Sequence, residues 1–594
     1  MVSLYDGKKK EYEVLGKYKG SELVGLEYQP LFNYFDSFRS TGCFRVLAGD
    51  FVSSDSGTGV VHCAPAFGAE DFEVCTQAKI VRPDNIPCPL DANGRFTDQV
   101  KDFKGQYIKE KACERGLISA IKAQGRLVHE TQFHHSYPFC WRSDTPLIYK
   151  TVSSWFIKVT DIKENLIKNN YKACWVPKNA QEGRFQNWLE DAKDWCFSRN
   201  RFWGNPIPIW VSEDFEEQIC VGSVQELKEL TGVDNITDLH RESIDHLTIP
   251  SKQGKGVLRR IDEVFDCWFE SGSMPFASFH YPFSISEEEF AKRFPADFIG
   301  EGLDQTRGWF YTLNVLATAI KNDTPYKNLI VNGLVLAADG KKMSKRLKNY
   351  PDPQKLIDSK GADAIRLYLM NSPLTRADTL NFKEEGVAAI VRDVLLPWYN
   401  GYRFFIQNVT RWESNNNQKF QYSETYRSEL TNLMDRWIIA SNQHLIKTVR
   451  HEMDSYKLYN VLPKLLHFLE DLTNWYIRLN RGRLRGEFGE TDWKLSLNVL
   501  TEVLFNITVL MSPFVPFITD GFYQNLRKIV PADSKLNQDS VHFIEIPKFD
   551  PNLIDEQIET DVERMQQVIE LGRQIRDRRK VSLKQPIMVT PFII

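Results

Sequence analysis

The chain has 594 residues, too many for one hydrophobic core, so several domains are expected. Its 42% hydrophobic and 26% charged residues are ordinary for a globular protein, and no run is read as apolar enough to span a bilayer, so no membrane partner is expected. A formal net charge of -3 removes any argument from global charge for nucleic-acid binding, which must rest on local basic clusters instead.

The first ten residues carry charges where a signal peptide needs its apolar centre, so export is not expected. All ten cysteines fall between Cys43 and Cys267, and the nearest two, Cys63 and Cys75, are twelve apart. With no CxxC pair, reduced thiols in the cytoplasm are expected, and neither zinc nor a disulfide has supporting spacing.

Residues 1–150 are rich in Gly, Pro and short β-type runs such as Leu23-Val24-Gly25-Leu26 and Val60-Val61-His62, which predict a β-rich domain. Over residues 151–390 short apolar runs alternate with helical patterns, as in Phe298-Ile299-Gly300, Trp309 to Ile320 and Leu329-Ile330-Val331. That is the rhythm of an α/β domain with a parallel sheet. Residues 205–262 interrupt it with a polar stretch read as a strand-poor insertion. Residues 391–594 change to long amphipathic helices. Leu458, Val461, Leu462, Leu465, Leu466, Leu469, Leu472, Tyr476 and Leu479 recur at three and four residues, one apolar stripe of a bundle, and Trp475 reads as core.

Within the α/β region, residues 339–350 concentrate five cationic side chains between Lys341 and Lys348. Asn328 to Leu336 predicts a strand entering a turn at Ala338-Asp339-Gly340, and helix resumes over Leu356 to Met370 after Tyr350-Pro-Asp-Pro353. The basic stretch therefore sits on a loop pinned at both ends, suited to closing over a phosphate. By residue type alone the favoured reading is a solvated lysine-rich turn or a nuclear-localisation-like cluster, and composition does not decide.

Lys342-Met343-Ser344-Lys345-Arg346 resembles the KMSKS signature of class I aminoacyl-tRNA synthetases. Gly300-Glu301-Gly302-Leu303-Asp304-Gln305-Thr306-Arg307-Gly308-Trp309 resembles the amino-acid-binding strand and helix of the isoleucyl-tRNA synthetase family, and the stretches Asp194–Gly204, Asp266–Gly272, Gly361–Arg366 and Asp471–Arg478 match it in order and spacing. The resemblance covers essentially the whole chain and favours the eukaryotic cytosolic branch. It implies the C-terminal half of a Rossmann-like catalytic domain, a partial β-rich editing insertion before it and a helical anticodon-binding bundle after it. Implied too are ATP-dependent activation of isoleucine, transfer to tRNA(Ile) and hydrolytic editing of mischarged tRNA.

By motif position, Lys342 and Lys345 are the implied catalytic residues, neutralising charge on leaving pyrophosphate, and Met343 and Ser344 place the loop near ATP. Glu301, Gly302, Asp304 and Gln305 are implied in holding the aminoacyl-adenylate, for which a carboxylate facing an ammonium is physically apt; Glu301 also has a plain reading as a helix cap. Trp309 and Trp268 read equally as walls of an apolar pocket or as core. Mg2+ is expected from the phosphoryl chemistry, with no carboxylate cluster to name as ligands. Gly57-Thr58-Gly59-Val60-Val61-His62-Cys63-Ala64-Pro65 and the residues after it resemble the editing insertion, which makes His62 and Asp71 the implied editing residues. Arg478, Arg481, Arg483 and Arg485, and again Arg573, Arg576, Arg578, Arg579 and Lys580, are candidates for the tRNA backbone, or solvated helix ends. Membership of a multi-synthetase assembly is not readable from the residues.

Two family features are absent. None of the 11 histidines belongs to an HxGH motif, and Cys140-Trp141-Arg142-Ser143 has Ser where some relatives have a second zinc Cys. The chain is therefore expected to begin inside the editing insertion and to be inactive alone in isoleucine-dependent exchange of pyrophosphate into ATP. The alternative reading is a non-catalytic tRNA-binding module.

Overall fold

The computed structural model describes residues 13–53, 58–82, 85–132, 135–140, 143–200, 203–344 and 347–586. The chain divides into two units, Met1–Trp155 and Phe156–Ile594.

In the first unit the β-type runs do not build a sheet. Among the described residues they form isolated bridges, such as Glu27 with Arg45 and Leu90 with Phe96, and Leu23 ends a one-turn helix, Gly20–Leu23. A β-branched run becomes a strand only where a neighbouring backbone meets its N–H and C=O groups in register, and Val60 and Val61 are each more than half exposed. Two longer helices organise this unit: α1 (Ala69–Gln77) and α2 (Lys111–Ala123). Cys113, Leu117 and Ala120, spaced at four and three, turn one face of α2 onto Leu90, Phe96, Val100 and Phe103.

Early in the second unit come α3 (Val159–Asn170) and β1 (Cys174–Val176). Residues 205–262, expected to be strand-poor, instead form a four-stranded antiparallel sheet. Its strands are β2 (Ile209–Val211), β3 (Gln218–Cys220), β4 (Thr248–Pro250) and β5 (Val257–Arg260), in the order β3-β2-β5-β4. Each is three or four residues long, too short for alternation to stand out among polar turns. Helix α4 (Val224–Thr231) closes the layer, with Ser223 Oγ accepting from Glu226 N at 3.1 Å and Glu226 Oε2 accepting from Gly222 N at 2.7 Å, a reciprocal cap.

A parallel three-stranded sheet follows in space. After α5 (Cys267–Gly272) come β6 (Ile299–Gly302), α6 (Trp309–Lys321) and β7 (Asn328–Asn332), in the order β6-β7-β1. Glu301 pairs with Val331 and Gly302 with Asn332, so both strands end level. Trp175, Phe185, Phe310, Tyr326, Leu329 and Val331 fill the core between sheet and helices. Helix α6 packs on α5 where Gly272 meets the backbone of Thr312; a Cβ there would lie 3.0 Å from the Thr312 carbonyl.

Beyond β7 the chain runs through β8 (Val335–Leu336), α7 (Pro353–Lys360), α8 (Ala362–Met370) and β9 (Leu380–Asn381), with β8 and β9 parallel. The helix expected over Leu356 to Met370 is two helices, because Gly361 sits at φ 86°. Asp352 caps α7 by accepting from Gln354 N at 3.0 Å, and Pro353 takes the first helical position.

The remaining long elements are helical: α9 (Leu396–Asn416), α10 (Leu433–Asp454), α11 (Leu458–Glu470), α12 (Glu490–Met511), α13 (Pro516–Leu526) and α14 (Glu556–Arg578). The apolar stripe of α11 continues through a π-helical turn at Asp471–Tyr476, which buries Leu472, Trp475 and Tyr476, and ends with Leu479 exposed. Contrary to the reading that no run suits a bilayer, α12 is long and apolar enough by length and composition. Its flanks are covered by α10 and α13, and most of it is buried within the bundle.

Candidate functional site

The level ends of β6 and β7 set the site. Ligand sites of open parallel sheets form beyond the carboxyl ends of the strands, and the residues singled out by motif lie there. Glu301, in β6, is exposed and caps nothing; the cap of α6 comes from Gln305, whose Oε1 accepts from Trp309 N at 3.1 Å. Gln305 Nε2 donates to Asp304 Oδ2 at 3.1 Å, so the start of α6 orients both side chains. Trp309 is half-buried against the α/β core, with Nε1 donating to Ser271 O at 3.0 Å. Trp268 is 39% exposed and lies against Gly308, where a Cβ would come within 3.0 Å of its ring and 2.9 Å of Gln305 Oε1. The structure thus brings Asp304, Gln305, Trp309 and Trp268 together at one edge. Trp309 does packing work on its inner side, whereas Trp268 presents an open face.

One buried carboxylate, unmarked by the sequence reading, holds this edge. Asp266, 3% exposed, accepts from Trp268 N and from Trp195 Nε1, both at 3.3 Å, and pairs with Arg199 Nη2 at 2.8 Å. Arg199 Nη1 also donates to the carbonyls of Cys196 and Ser198. The stretches 195–199 and 266–268 are therefore one interlocked unit that positions Trp268.

The basic loop is a short hairpin off β8. Leu336 bridges to Lys342, and Asp339 Oδ1 accepts from Lys341 N at 3.1 Å. That backbone N–H, then the Lys341 ammonium 3.3 Å away, holds the Asp339 carboxyl below the usual range, against its slight burial. Lys341 is thus paired, and Lys342 is exposed beside it. Met343 packs onto Leu356, Ala364, Phe382 and Val387 and so anchors the loop. Asn349 clamps it: its Oδ1 accepts from Ser344 N at 2.9 Å and its Nδ2 donates to Lys342 O at 3.1 Å. Lys345 and Arg346 lie outside the described residues.

The stretch Gly361–Arg366 is a joint. Asp363 accepts from Ile518 N at 2.8 Å at the start of α13, and Arg366 donates to the carbonyls of Pro513 and Phe514. It ties the helices after the basic loop to the bundle.

In the bundle, Arg478 and Arg485 are exposed, and Arg481 is exposed with its guanidinium 5.4 Å from the Phe404 ring centre. Arg483, read as a tRNA candidate, is instead buried. It pairs with Asp435 at 2.8 Å and with Asp492 at 2.6 Å and donates to Asn480 Oδ1, while the Tyr476 hydroxyl donates to Asp435 at 2.7 Å. Burial, then the charge of Asp435, pushes Tyr476 far above its usual pKa, so it stays a donor. Arg573 pairs with Glu570 and lies 5.5 Å from the Trp475 ring, and Arg576 binds the carbonyls of Ser582 and Gln585. Arg578, Arg579 and Lys580 are exposed.

In the first unit, His62 is exposed and Asp71 half-buried on the first turn of α1. Asp71 Oδ2 accepts from Ala64 N at 3.0 Å, fixing the segment after His62 to the helix. Among the described residues, no group of three His, Cys, Asp or Glu side chains is placed to hold a metal ion.

The site is thus a parallel-sheet edge lined by polar and aromatic side chains, followed by a clamped basic hairpin and a joint into a helical bundle. The model of the family tRNA synthetases class I (I, L, M and V) matches residues 10–381, and the chain belongs to that family. A model of the anticodon-binding domain of tRNA ligase matches residues 435–591.

Among individual proteins, the chain is 62% identical over 591 residues to an isoleucine–tRNA ligase of Tetrahymena thermophila, covering 99% of this chain and 54% of that one. It is 54% identical over 580 residues to a cytoplasmic isoleucine–tRNA ligase of Mus musculus, covering 97% and 46%. It is 53% identical over 586 residues to the cytoplasmic isoleucine–tRNA ligase of Saccharomyces cerevisiae, covering 98% and 54%. The chain spans about half the length of these curated relatives.

Proposed function

We propose that the chain carries out, with the rest of an isoleucine–tRNA ligase, ATP-dependent activation of isoleucine and its transfer to tRNA(Ile) in the cytoplasm. The observation that carries this reading is the gathering of Asp304, Gln305, Trp309 and Trp268 beyond β6, with the Lys342 hairpin following from β7 and β8.

In this reading Glu301 and Asp304 hold the isoleucine ammonium, Gln305 and the Gly302 backbone border the adenylate, and the face of Trp268 with the edge of Trp309 walls the branched side chain. The isoleucine carboxylate attacks the α-phosphorus of ATP, and pyrophosphate leaves. Lys342 and Lys345 stabilise the charge that grows on the leaving oxygen; Met343 and Asn349 keep Lys342 in position. A hydroxyl at the 3′ end of tRNA(Ile) then attacks the carbonyl and releases AMP. No described side-chain cluster fits Mg2+ as a protein-held ion, and no step here is routed through it. Arg478 and Arg481, exposed near the end of the α11 stripe, contact the tRNA backbone. Asp71 holds the ammonium of a mischarged residue while water attacks the ester, and His62 lines the side-chain pocket.

Calorimetric titration of the chain with a non-hydrolysable isoleucyl-adenylate analogue tests the reading. Saturable binding is expected, weakened about 10- to 100-fold by Glu301→Ala, the value of one charge-assisted hydrogen bond. Equal affinity for a methionyl analogue, or no binding at all, overturns it. Binding of tRNA(Ile) without analogue binding returns the tRNA-binding-module reading, and the tRNA affinity should fall with Arg478→Glu and Arg481→Glu.

A further inference from the structure

Twelve positions apart and on different segments, Cys63 and Cys75 meet. Their sulfurs lie 3.5 Å apart, and no other thiol pair among the described residues is hydrogen-bonded. Cys63 and Cys75 are both thiols outside any disulfide. Cys75 sits on α1, one helical turn beyond Asp71, and is 5% exposed; Cys63 is half-buried in the extended segment between His62 and Ala64. Around them Cys43, Phe72, Ile80 and Val81 form a small apolar cluster.

A disulfide needs sulfurs about 2.05 Å apart, so closing this pair takes roughly 1.5 Å, within reach of a side-chain rotation. The two backbones are already held together by Ala64 N–H on Asp71 Oδ2, and Cys63 Sγ lies 3.7 Å from Asp71 O. The segments to be joined are therefore docked before any bond forms. The Cys63 thiol also hydrogen-bonds the Cys75 sulfur, which holds the Cys75 pKa below its ordinary value against the effect of burial.

We propose that Cys63 and Cys75 form a peroxide-oxidisable pair that closes to a disulfide, fastening the His62–Ala64 segment to α1. One sulfur, as thiolate, attacks an oxygen of hydrogen peroxide; the O–O bond breaks, water leaves and a sulfenic acid forms. The second thiol attacks that sulfur, the S–S bond forms, and the sulfenic oxygen leaves as a second water. The sum is two thiols and one peroxide to one disulfide and two waters, and a thiol reductant of the glutathione class reverses it. The bond joins the segments that carry His62 and Asp71, yet its formation does not depend on their editing roles.

The test is peptide mapping of the full chain under non-reducing conditions, after brief treatment with hydrogen peroxide and alkylation of the remaining thiols. A Cys63–Cys75 cross-linked peptide, lighter by two hydrogens than its parts and abolished by glutathione, is expected. Hydrogen exchange of amides in residues 62–77 should slow several-fold on oxidation, and should not change in Cys63→Ser or Cys75→Ser. The inference fails if these two cysteines stay reduced or go to sulfinic acid while other thiols are oxidised, or if Cys43 takes the place of either in the cross-link. Since the mapping is done on the unaltered chain, a variant that does not fold leaves the outcome decided.

Discussion

Replacing Asp435 tests the reading of Arg483 as a bundle residue and not a tRNA contact. Asp435 is fully buried on the first turn of α10 and receives three hydrogen bonds: Tyr476 OH at 2.7 Å, Arg483 Nη1 at 3.0 Å and Arg483 Nη2 at 2.8 Å. Breaking a buried ion pair from one side costs about 3–5 kcal/mol, because the remaining charge is left without its partner. Arg483 keeps Asp492 and the Asn480 side-chain oxygen, which softens that loss. Tyr476 has no such alternative, and an unpaired buried hydroxyl costs about 1–3 kcal/mol. Asp435→Ala should therefore destabilise the bundle by about 4 kcal/mol. Asp435→Asn, which keeps shape and one acceptor but loses the charge, should cost about 2 kcal/mol by the same reasoning. A chain of this size does not unfold in one step, so the measurement is exchange of the slowest amides in α10 and α12 across low denaturant concentrations. If both variants stay within about 0.5 kcal/mol of the parent, the magnitude of an ordinary surface change, the network does not hold the bundle and the argument fails.

Other substitutions probe the hairpin and the bundle. Gly333→Ala would put a Cβ 1.6 Å from the Asp378 carbonyl, a backbone atom that cannot swing aside. It should cost about 3 kcal/mol, the upper range for overpacking, read as a lower unfolding temperature of the second unit; an unshifted transition refutes it. Asn349→Ala removes both clamping bonds of the basic loop, at about 1 kcal/mol each, so exchange at the Ser344 amide should speed up roughly 10- to 30-fold, with about half the effect in free energy for Asn349→Asp. Unchanged exchange would mean that Met343 alone holds the loop. Burial raises the Asp471 carboxyl above its usual 3.8, with His467 and the Gln566 hydrogen bond acting against it. The folded state then binds this proton more tightly than the unfolded chain, so stability falls as pH climbs from about 4 through the raised value and is level beyond it. Asp471→Asn, still able to accept from Gln566, should stabilise the bundle at neutral pH and match the parent below about pH 4 in urea titrations. A constant difference at all pH values would locate the effect elsewhere.

What was legible in the sequence follows the length of each pattern. The stripe from Leu458 to Tyr476 repeats over enough turns to be read: Val461, Leu462, Leu465, Leu469, Leu472 and Tyr476 are buried and Leu458 and Leu466 partly so, whereas Leu479 escapes because the helix ends there. The sheet within 205–262 was not legible, because strands of three or four residues give period-two alternation no room, and its core residue Trp210 is recruited by long-range contact. In the first unit the failure runs the other way: β-branched residues are present, but a run such as Val60-Val61 has propensity without a pairing backbone. Charge is the least legible property of all. Arg478, Arg481 and Arg483 alternate along a few residues and look equivalent, yet two are exposed and the third is sealed between carboxylates contributed 48 residues upstream and nine downstream. The same holds for the candidate site. Glu301, Asp304 and Gln305 were readable because they lie on one continuous stretch, whereas Asp266, Arg199 and Asn349 act through partners that only the folded chain supplies. Residues that touch a ligand cluster in short motifs, because one strand end must present them together. The residues that aim them are dispersed, since any segment packed behind the site can provide a carboxylate, a guanidinium or an amide at the required distance.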